Sequence, residues 1–109
     1  MTPKPPKIFR AAQSRLLEIW NYTEQTWGEK QADTYIRALV AAIDQAQTQR
    51  HRWRSLRDRT LPGIYFIRHK HHYIFFRELS DATLGVISIL HENMDIPARL
   101  RDDDTSSEI

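Results

Sequence analysis

The apolar residues change their spacing once along this chain, and the change divides it into a helical half and a strand half. Between Ala12 and Ala46 they recur every three or four residues, which is typical of one face of a helix. From Ile64 to Leu90 they form three short runs rich in β-branched and aromatic residues, which is typical of strands. Between the two halves, Pro62-Gly63 predicts the turn into the strands.

The helical half predicts two helices that meet as an antiparallel hairpin. Gly28 should end the first helix, because glycine adopts positive φ angles without steric cost. The first apolar stripe holds Ala12, Leu16, Ile19, Trp20, Thr23 and Trp27, and the second holds Ala32, Tyr35, Ile36, Leu39, Val40, Ile43 and Ala46. We therefore expect Trp20, Trp27 and Tyr35 to serve the core.

The strand half predicts a meander of three antiparallel strands, near residues 64–68, 73–77 and 84–90. A further short strand is predicted at residues 7–10, before the first helix. The helix hairpin needs an apolar surface to cover, and a sheet offers one. The predicted fold class is α+β: a two-layer sandwich in the order β-α-α-β-β-β, with an antiparallel sheet covered on one face by the helix hairpin and a short C-terminal helical turn.

The length of 109 residues predicts one domain, which we assign to residues 7–100. Residues 1–6 are expected to form a flexible N-terminus. Residues 101–109 are rich in aspartate and have little apolar surface, so they are expected to form a disordered acidic tail.

Composition excludes several kinds of chemistry. The chain has no cysteine, so it has neither a disulfide nor a thiolate site. No apolar run approaches the ~20 residues that cross a bilayer, and the proline-rich start has no apolar signal core. We expect a cytoplasmic protein that has no membrane contact and no cofactor.

The net charge of +2 hides a strongly basic middle segment. Residues 50–77 hold eight lysines and arginines against one acid, Asp58, a net charge of +7. Such segregation indicates an anionic partner, either nucleic acid or an acidic protein segment. The alternative is a face that only meets solvent.

A series of short motifs along residues 7–100 carries a family resemblance. The motifs are Trp27-Gly28, Gln31-Ala32 with Tyr35, Leu61-Pro62-Gly63, the aromatic hairpin, and Ile89-Leu90-His91-Glu92 followed by Met94-Asp95. Together they resemble the ParE branch of the ParE/RelE toxin superfamily, also called the plasmid stabilisation protein family. These proteins are the toxins of bacterial toxin–antitoxin pairs.

The resemblance implies a toxin that arrests growth by inhibiting DNA gyrase and is neutralised by a ParD-like antitoxin in a hetero-oligomer. It further implies that the C-terminal segment of the antitoxin covers apolar grooves along the helices and pairs its acids with arginines. RelE-like relatives on the same fold are ribosome-dependent mRNA endoribonucleases. That activity is the alternative, since the fold does not choose between the two.

RNA cleavage needs a general base, a general acid and cations beside the phosphate. His91, Arg77 and Arg68 are the candidates for these catalytic roles, but no complete acid–base set accompanies His91. His91 has two open interpretations. It is either a general acid or base, or a buried hydrogen-bonding pin that fixes the end of the last strand.

Arg59, Arg68 and Arg77, with Trp53 and Arg57, are predicted to contact the antitoxin or the target. Arginines in or beside strands lose less entropy on binding than loop arginines such as Arg52, so larger effects are expected from the former. Trp53 has two interpretations: a half-buried anchor under the loop or an exposed contact residue.

His69, His71 and His72 form a cluster in the predicted hairpin turn. Three ligands from one tight turn, without a carboxylate or cysteine nearby, seldom close a tetrahedral site. No metal is therefore expected there.

Overall fold

The structure is a computed structural model that describes residues 4–106. Within these residues, three helices and five strands follow one another. They are β1 (Lys7–Ile8), α1 (Arg10–Trp27), α2 (Glu29–Thr48), β2 (Arg54–Ser55), β3 (Tyr65–His69), β4 (His72–Glu78), β5 (Leu84–His91) and α3 (Ile96–Ser106), with a 3₁₀ turn at Arg50–Arg52 before β2. The predicted α+β class and helix hairpin are confirmed.

The five strands form one sheet in the order β1-β5-β4-β3-β2. The predicted meander is present as β3, β4 and β5, each antiparallel to its neighbour. The prediction of a wholly antiparallel sheet is wrong at one position, because β1 runs parallel to β5, with Lys7 opposite Gly85. Parallel pairing needs a long crossover, and the helix hairpin supplies most of it.

Gly28 separates the two helices, as predicted, with φ 95° and ψ 166°. Its N–H donates to the carbonyl of Glu24, and its carbonyl accepts from the N–H of Ala32 at the start of α2. This conformation is essentially restricted to glycine. The tight junction folds α2 back against α1.

The hairpin covers one face of the sheet and encloses the first core cluster. Its centre is formed by Leu39 and Ile43 of α2 against Phe76 and Val86 of the sheet, each almost fully buried. Leu16 and Ile19 of α1 pack at its margin. This packing is the two-layer arrangement that the periodicity predicts.

The second face of the sheet carries a second core cluster, which the predicted fold lacks. Phe75, Ile87 and Leu90 lie on this face, and Leu100 of α3 covers them with no exposed surface of its own. A bulge in β5 puts Ile87 and Ser88 next to one another on this side, since Phe75 pairs with Ser88 while Phe76 pairs with Val86.

The predicted disordered tail from Arg101 is wrong over the residues that the structure describes. α3 continues to Ser106, and residues 107–109 lie outside the described part of the chain. Asp103 holds this helix in place. The residue is 7% exposed. Its carboxylate accepts hydrogen bonds from Arg15 Nε at 2.8 Å and Nη2 at 3.1 Å, and one from Ser88 Oγ at 2.5 Å. An aspartate-rich segment therefore folds because the rest of the chain supplies buried donors.

The predicted flexible N-terminus lies partly outside the described residues, which begin at Lys4. The carbonyl of Lys4 accepts a hydrogen bond from Gln47 at 2.6 Å, and its ammonium lies 3.7 Å from Asp81. Within residues 4–106, no helix has the length and apolar character that a membrane span requires.

Candidate functional site

An open groove with a volume of about 660 Å³ runs between the helix hairpin and one end of the sheet. The second half of α1 forms one wall, and the β3–β4 turn with the end of β5 forms the other. The groove is lined by Arg15, Glu18, Ile19, Tyr22, Thr23, Trp27, Gln31, Tyr35, Lys70, His71, His72, Ile89, His91, Asn93 and Met94.

The wall of the groove on α1 exposes large apolar side chains. Tyr22 is 71% exposed and Trp27 is 72% exposed, while Met94 on the far wall is 38% exposed. Isolated exposed apolar residues are ordinary, but aromatic residues that line one concave surface indicate an interaction site. The groove is therefore the part of the described chain best suited to receive an apolar partner.

The predicted core position of Trp27 is wrong. The apolar stripe of α1 reaches the core only through its first part, at Ala12, Leu16 and Ile19. Trp27 lies in the last turn of α1, where the stripe continues but no layer covers it. Trp20 is half-buried and its Nε1 donates to Asp33 at 2.8 Å, which links α1 to α2 instead of filling the core.

The floor of the groove contains a tyrosine–histidine pair. The hydroxyl of Tyr35 lies 2.6 Å from Nδ1 of His72. Burial, reinforced by the neighbouring His91, lowers the pKa of His72 to about 4. The ring is therefore neutral near pH 7, and because burial also raises the pKa of Tyr35, the hydrogen bond joins two neutral groups.

His91 makes the contacts of a structural pin. Its Nδ1 accepts the backbone N–H of Asn93 at 3.0 Å, which shapes the turn after β5. Its ring lies 5.1 Å from that of His72, edge to face, and 6.1 Å from that of His71. Of the two interpretations of His91, this geometry fits the hydrogen-bonding pin that fixes the end of the last strand. The ring also lines the groove.

A clamp of charged groups joins the β3–β4 turn to the end of β5. Glu92 accepts from Arg68 Nη2 at 2.7 Å and lies 3.1 Å from His71 Nδ1. Arg68 Nε also donates to the carbonyl of Lys70 at 2.7 Å. The hydrogen bond with His71 and the charge of Arg68 lower the pKa of Glu92. Arg68 is thus occupied within the fold.

Arg77 also has a partner within the fold, because it forms an ion pair with Asp104 of α3. Its Nη1 lies 2.5 Å from Asp104, and its Nε donates to the carbonyl of Pro62 at 3.2 Å. Gly63 follows with a positive φ of 73°, which turns the chain into β3. Pro62 and Gly63 form the predicted turn, and the Pro62 carbonyl also orients Arg77.

The three catalytic candidates do not come together. Phe66, two residues before Arg68, and Phe75, two residues before Arg77, belong to the second core cluster, so both arginines lie on the face with α3. His91 faces the groove on the hairpin side. Along the sheet, Arg77 pairs with Gly85 and His91 with His72, a separation of about 20 Å at 3.3 Å per residue.

The other predicted contact residues divide into a packed residue and exposed ones. Trp53 is half-buried against the first core cluster, and its Nε1 donates to the carbonyl of Ala46 at 2.7 Å. Its ring lies 5.0 Å from that of Phe76. Of its two interpretations, Trp53 therefore fits the half-buried anchor under the loop. Arg57 and Arg59 are exposed in the loop after β2.

The histidines of the turn have different surroundings. His69 Nε2 is buried without a hydrogen-bond partner, and burial lowers the pKa of this ring. His71 is exposed and engaged with Glu92. Within residues 4–106, no group of three or more histidine and acidic side chains is arranged to hold a metal ion.

Four residues that line the site or support it were not among the predicted site residues: Tyr22, Lys70, Asp103 and Asp104. Tyr22 had a detectable signal, since it is a large aromatic residue of the first helix that lies off the core stripe. The aspartates had none, because their partners Arg15 and Arg77 lie 88 and 27 residues away.

Comparison with known proteins gives a consistent result across most of the chain. Residues 7–96 match the family model described as the ParE toxin of the type II toxin–antitoxin system parDE. A toxin ParE1 of Mycobacterium tuberculosis is 37% identical over 90 residues, 83% of this chain and 91% of the relative. A toxin ParE1 of Caulobacter vibrioides is 33% identical over 98 residues, 89% and 98% of the two chains.

A toxin ParE of Escherichia coli is 31% identical over 91 residues, which cover 84% of this chain and 87% of the relative. Among solved structures, a chain of the chromosomal ParDE TA system from P. aeruginosa superposes with a TM-score of 0.67 at 16% identity. The superposition covers 80% of this chain and 94% of that one, so the two share a fold.

Proposed function

Because this chain belongs to the ParE toxin family of type II toxin–antitoxin systems, we propose that it arrests bacterial growth by inhibiting DNA gyrase and that a ParD-like antitoxin neutralises it. The family match supports the toxin role. Neutralisation by an antitoxin is supported by the fold that this chain shares with a chain of a ParDE system, and by the groove.

The observation that carries the antitoxin proposal is the exposure of Tyr22 and Trp27 in one groove. A toxin that binds an antitoxin segment tightly needs a concave apolar surface with aromatic anchors at its centre. The groove offers these anchors on α1. Its far end is lined by the Lys70 ammonium and by the imidazoles of His71 and His91. We infer a segment that is apolar along α1 and acidic beside Lys70.

The alternative, a ribosome-dependent endoribonuclease, gains no support from the site. Its candidate residues lie on two faces of the sheet, and Arg68 and Arg77 are held in ion pairs with Glu92 and Asp104. A nuclease of this kind needs its acid, base and cations within hydrogen-bond reach of one phosphate. Gyrase inhibition needs no such set, which is why we favour it.

Expression in Escherichia coli tests the proposal, with the gene induced alone or together with the adjacent small reading frame. We expect arrest with the toxin alone, accompanied by DNA-damage signalling, and growth when both proteins are present. In vitro, the purified chain should inhibit supercoiling by gyrase and leave ribosome-bound mRNA intact. Codon-positioned mRNA cuts that disappear in His91→Ala would overturn the gyrase proposal in favour of the endoribonuclease.

Matched variants test the groove. Trp27→Ala and Tyr22→Ala should each weaken antitoxin binding by about 2 kcal/mol or more, because aromatic anchors dominate such interfaces. Leu17→Ala is the control, since Leu17 is 61% exposed on the same helix but does not line the groove. Equal losses at Leu17 and Trp27, measured by titration calorimetry, would remove the groove from the proposal.

A further inference from the structure

Ion pairing divides the arginines of this chain into two groups. One group has carboxylate partners: Arg15 with Asp103, Arg50 with Glu78, Arg68 with Glu92, Arg77 with Asp104, and Arg101 with Asp58. The other includes four arginines of residues 52–59, which form no ion pair within residues 4–106: Arg52, Arg54, Arg57 and Arg59. Residues 52–59 of the basic segment thus hold four uncompensated arginines among eight residues.

One of these arginines, Arg54, lies in the edge strand β2, and the other three flank that strand: Arg52 in the 3₁₀ turn before it, where its Nη1 donates to Gln49, and Arg57 and Arg59 in the loop after it. β2 is the last strand in the sheet order, and both of its residues are exposed. Arg54 stands opposite Phe66 on β3, so the two side chains leave the sheet on the same face. Phe66 packs with the second core cluster, which places Arg54 on the face away from the helix hairpin.

Two half-buried aromatic rings lie on that same face. The rings of Phe66 and Tyr73 are 5.8 Å apart, edge to face. The guanidinium of Arg68 lies 5.7 Å from the centre of the Tyr73 ring. The Tyr73 hydroxyl makes no hydrogen bond within the described residues, although the ring packs against the cluster. We call Arg52, Arg54, Arg57 and Arg59, with Phe66 and Tyr73, the arginine edge.

We propose that the arginine edge binds single-stranded nucleic acid. Proteins that bind single strands combine cations along the phosphates with aromatic rings on which bases stack, and the arginine edge sets four uncompensated arginines near two partly exposed rings. An acidic peptide would satisfy the arginines but has no bases to stack on the rings. The arginine edge is separate from the groove, which lies between the hairpin and the other face of the sheet, so this activity is additional to antitoxin binding.

The ion pairs of the arginines also bear on an expectation from the sequence that stays untested. Arg68 and Arg77 were expected to contact the partner because strands hold them rigidly, and Arg52 was expected to contribute little. The strands do position Arg68 and Arg77, but Glu92 and Asp104 neutralise both. Release of counterions from the nucleic acid needs cations that are not already compensated, so Arg54 and Arg57 are the stronger candidates.

The first test is fluorescence anisotropy of the full-length chain with a labelled oligothymidylate of about 15 nucleotides. Four phosphates neutralised on a single strand predict that log K falls against log[NaCl] with a slope of about −3. Arg54→Ala and Arg57→Ala should each reduce the steepness of this slope by about 0.7. Arg37→Ala is the matched control, because it removes one exposed charge from α2 in the other layer.

The second test separates stacking from charge. Tyr73→Leu and Phe66→Leu retain apolar volume and remove the π-system, so affinity should fall at least about fivefold with the salt slope unchanged. Circular dichroism and urea denaturation verify that the variants fold. A Tyr73→Leu variant that folds and binds as tightly as the parent chain would overturn the stacking part of the proposal.

Competitors identify the ligand class. A polyglutamate peptide of matched charge and a duplex of matched length should compete at least about tenfold less well than the single strand, because neither exposes bases for stacking. Equal competition by polyglutamate would show that the surface is made for an acidic protein segment, and equal loss of affinity in Arg37→Ala would show only a general charge effect. Either result would overturn the proposal.

Discussion

Asp103→Asn is the substitution that most directly tests how the last helix is held. The change preserves the size of the side chain and removes its charge. In the parent chain this carboxylate receives two hydrogen bonds from Arg15 of α1 and one from Ser88 of β5. The pairing of β1 with β5 covers Gly85 and Val86. The ion pair of Arg15 with Asp103 lies beyond the end of this pairing and joins α1 to α3.

The expected loss follows from the burial of this ion pair. The side chain of Arg15 is 12% exposed and that of Asp103 is 10% exposed, so removal of one charge leaves the other buried. Such a change costs ~3 to 5 kcal/mol of unfolding free energy. Arg15 keeps Glu18 at 3.0 Å, which favours the lower end, about 3 kcal/mol. For a domain of this size, that lowers Tm by roughly 15 °C.

Urea denaturation followed by circular dichroism measures the loss, with Asp44→Asn on the exposed face of α2 as the control. Hydrogen exchange should also show faster exchange of the α3 amides in Asp103→Asn. The double variant Arg15→Met/Asp103→Asn should recover at least about 1 kcal/mol relative to the sum of the single variants, since the uncompensated guanidinium is gone. Losses in Asp103→Asn no larger than in Asp44→Asn would refute a buried pair that holds α3.

Three further substitutions test the histidine floor and two glycines. The unfolded pKa of His72 is near 6.5 and the folded pKa about 4, so the unfolded chain binds the proton first and the free energy of unfolding falls between pH 7 and pH 5. Solvent screening of the partly exposed ring reduces the full linkage value of about 2 kcal/mol, so we expect a fall of about 1 kcal/mol. His72→Phe should flatten this dependence in urea titrations at both pH values, with the exposed His51→Gln as the control variant. Gly85→Ala places a Cβ 2.8 Å from the ring of Phe9, so overpacking should lower the free energy of unfolding by about 1 to 3 kcal/mol in urea titrations. An unchanged free energy of unfolding would show that this ring moves freely. Gly28→Ala meets no atom within 4 Å but takes a backbone conformation restricted to glycine, so strain alone should cost about 1 to 3 kcal/mol, and an unchanged Tm would contradict the φ of 95°.

The arginines show where sequence reasoning stops. Their number and clustering are visible in the chain, and strand periodicity places Arg68 and Arg77 on one face. Their acids lie 24 and 27 residues further on, at Glu92 and Asp104, so local pattern gives no sign that the charges are already neutralised. Which arginines stay uncompensated, those of residues 52–59, therefore depends on ion pairs between distant parts of the chain.

The aromatic residues divide in the same way. Helical spacing correctly placed Tyr35 toward the sheet, where it packs against the first core cluster. The same spacing placed Trp27 in the core, but the sheet does not extend that far, and the ring remains in the open groove. Periodicity identifies which residues share a face of a helix, whereas the length of the opposing layer decides how much of that face is buried.

By itself, the sequence determined the elements that depend on neighbours in the chain: two helices from a period near 3.6, three strands from β-branched and aromatic runs, and sharp turns at Gly28 and Gly63. Only the tertiary structure decided the parallel pairing of β1 with β5, the ordered helix around Asp103 and the open groove beside Trp27. Each of these depends on groups brought together across long stretches of chain. Local propensities are read from adjacent residues, but burial and charge compensation arise only from the packing of distant ones.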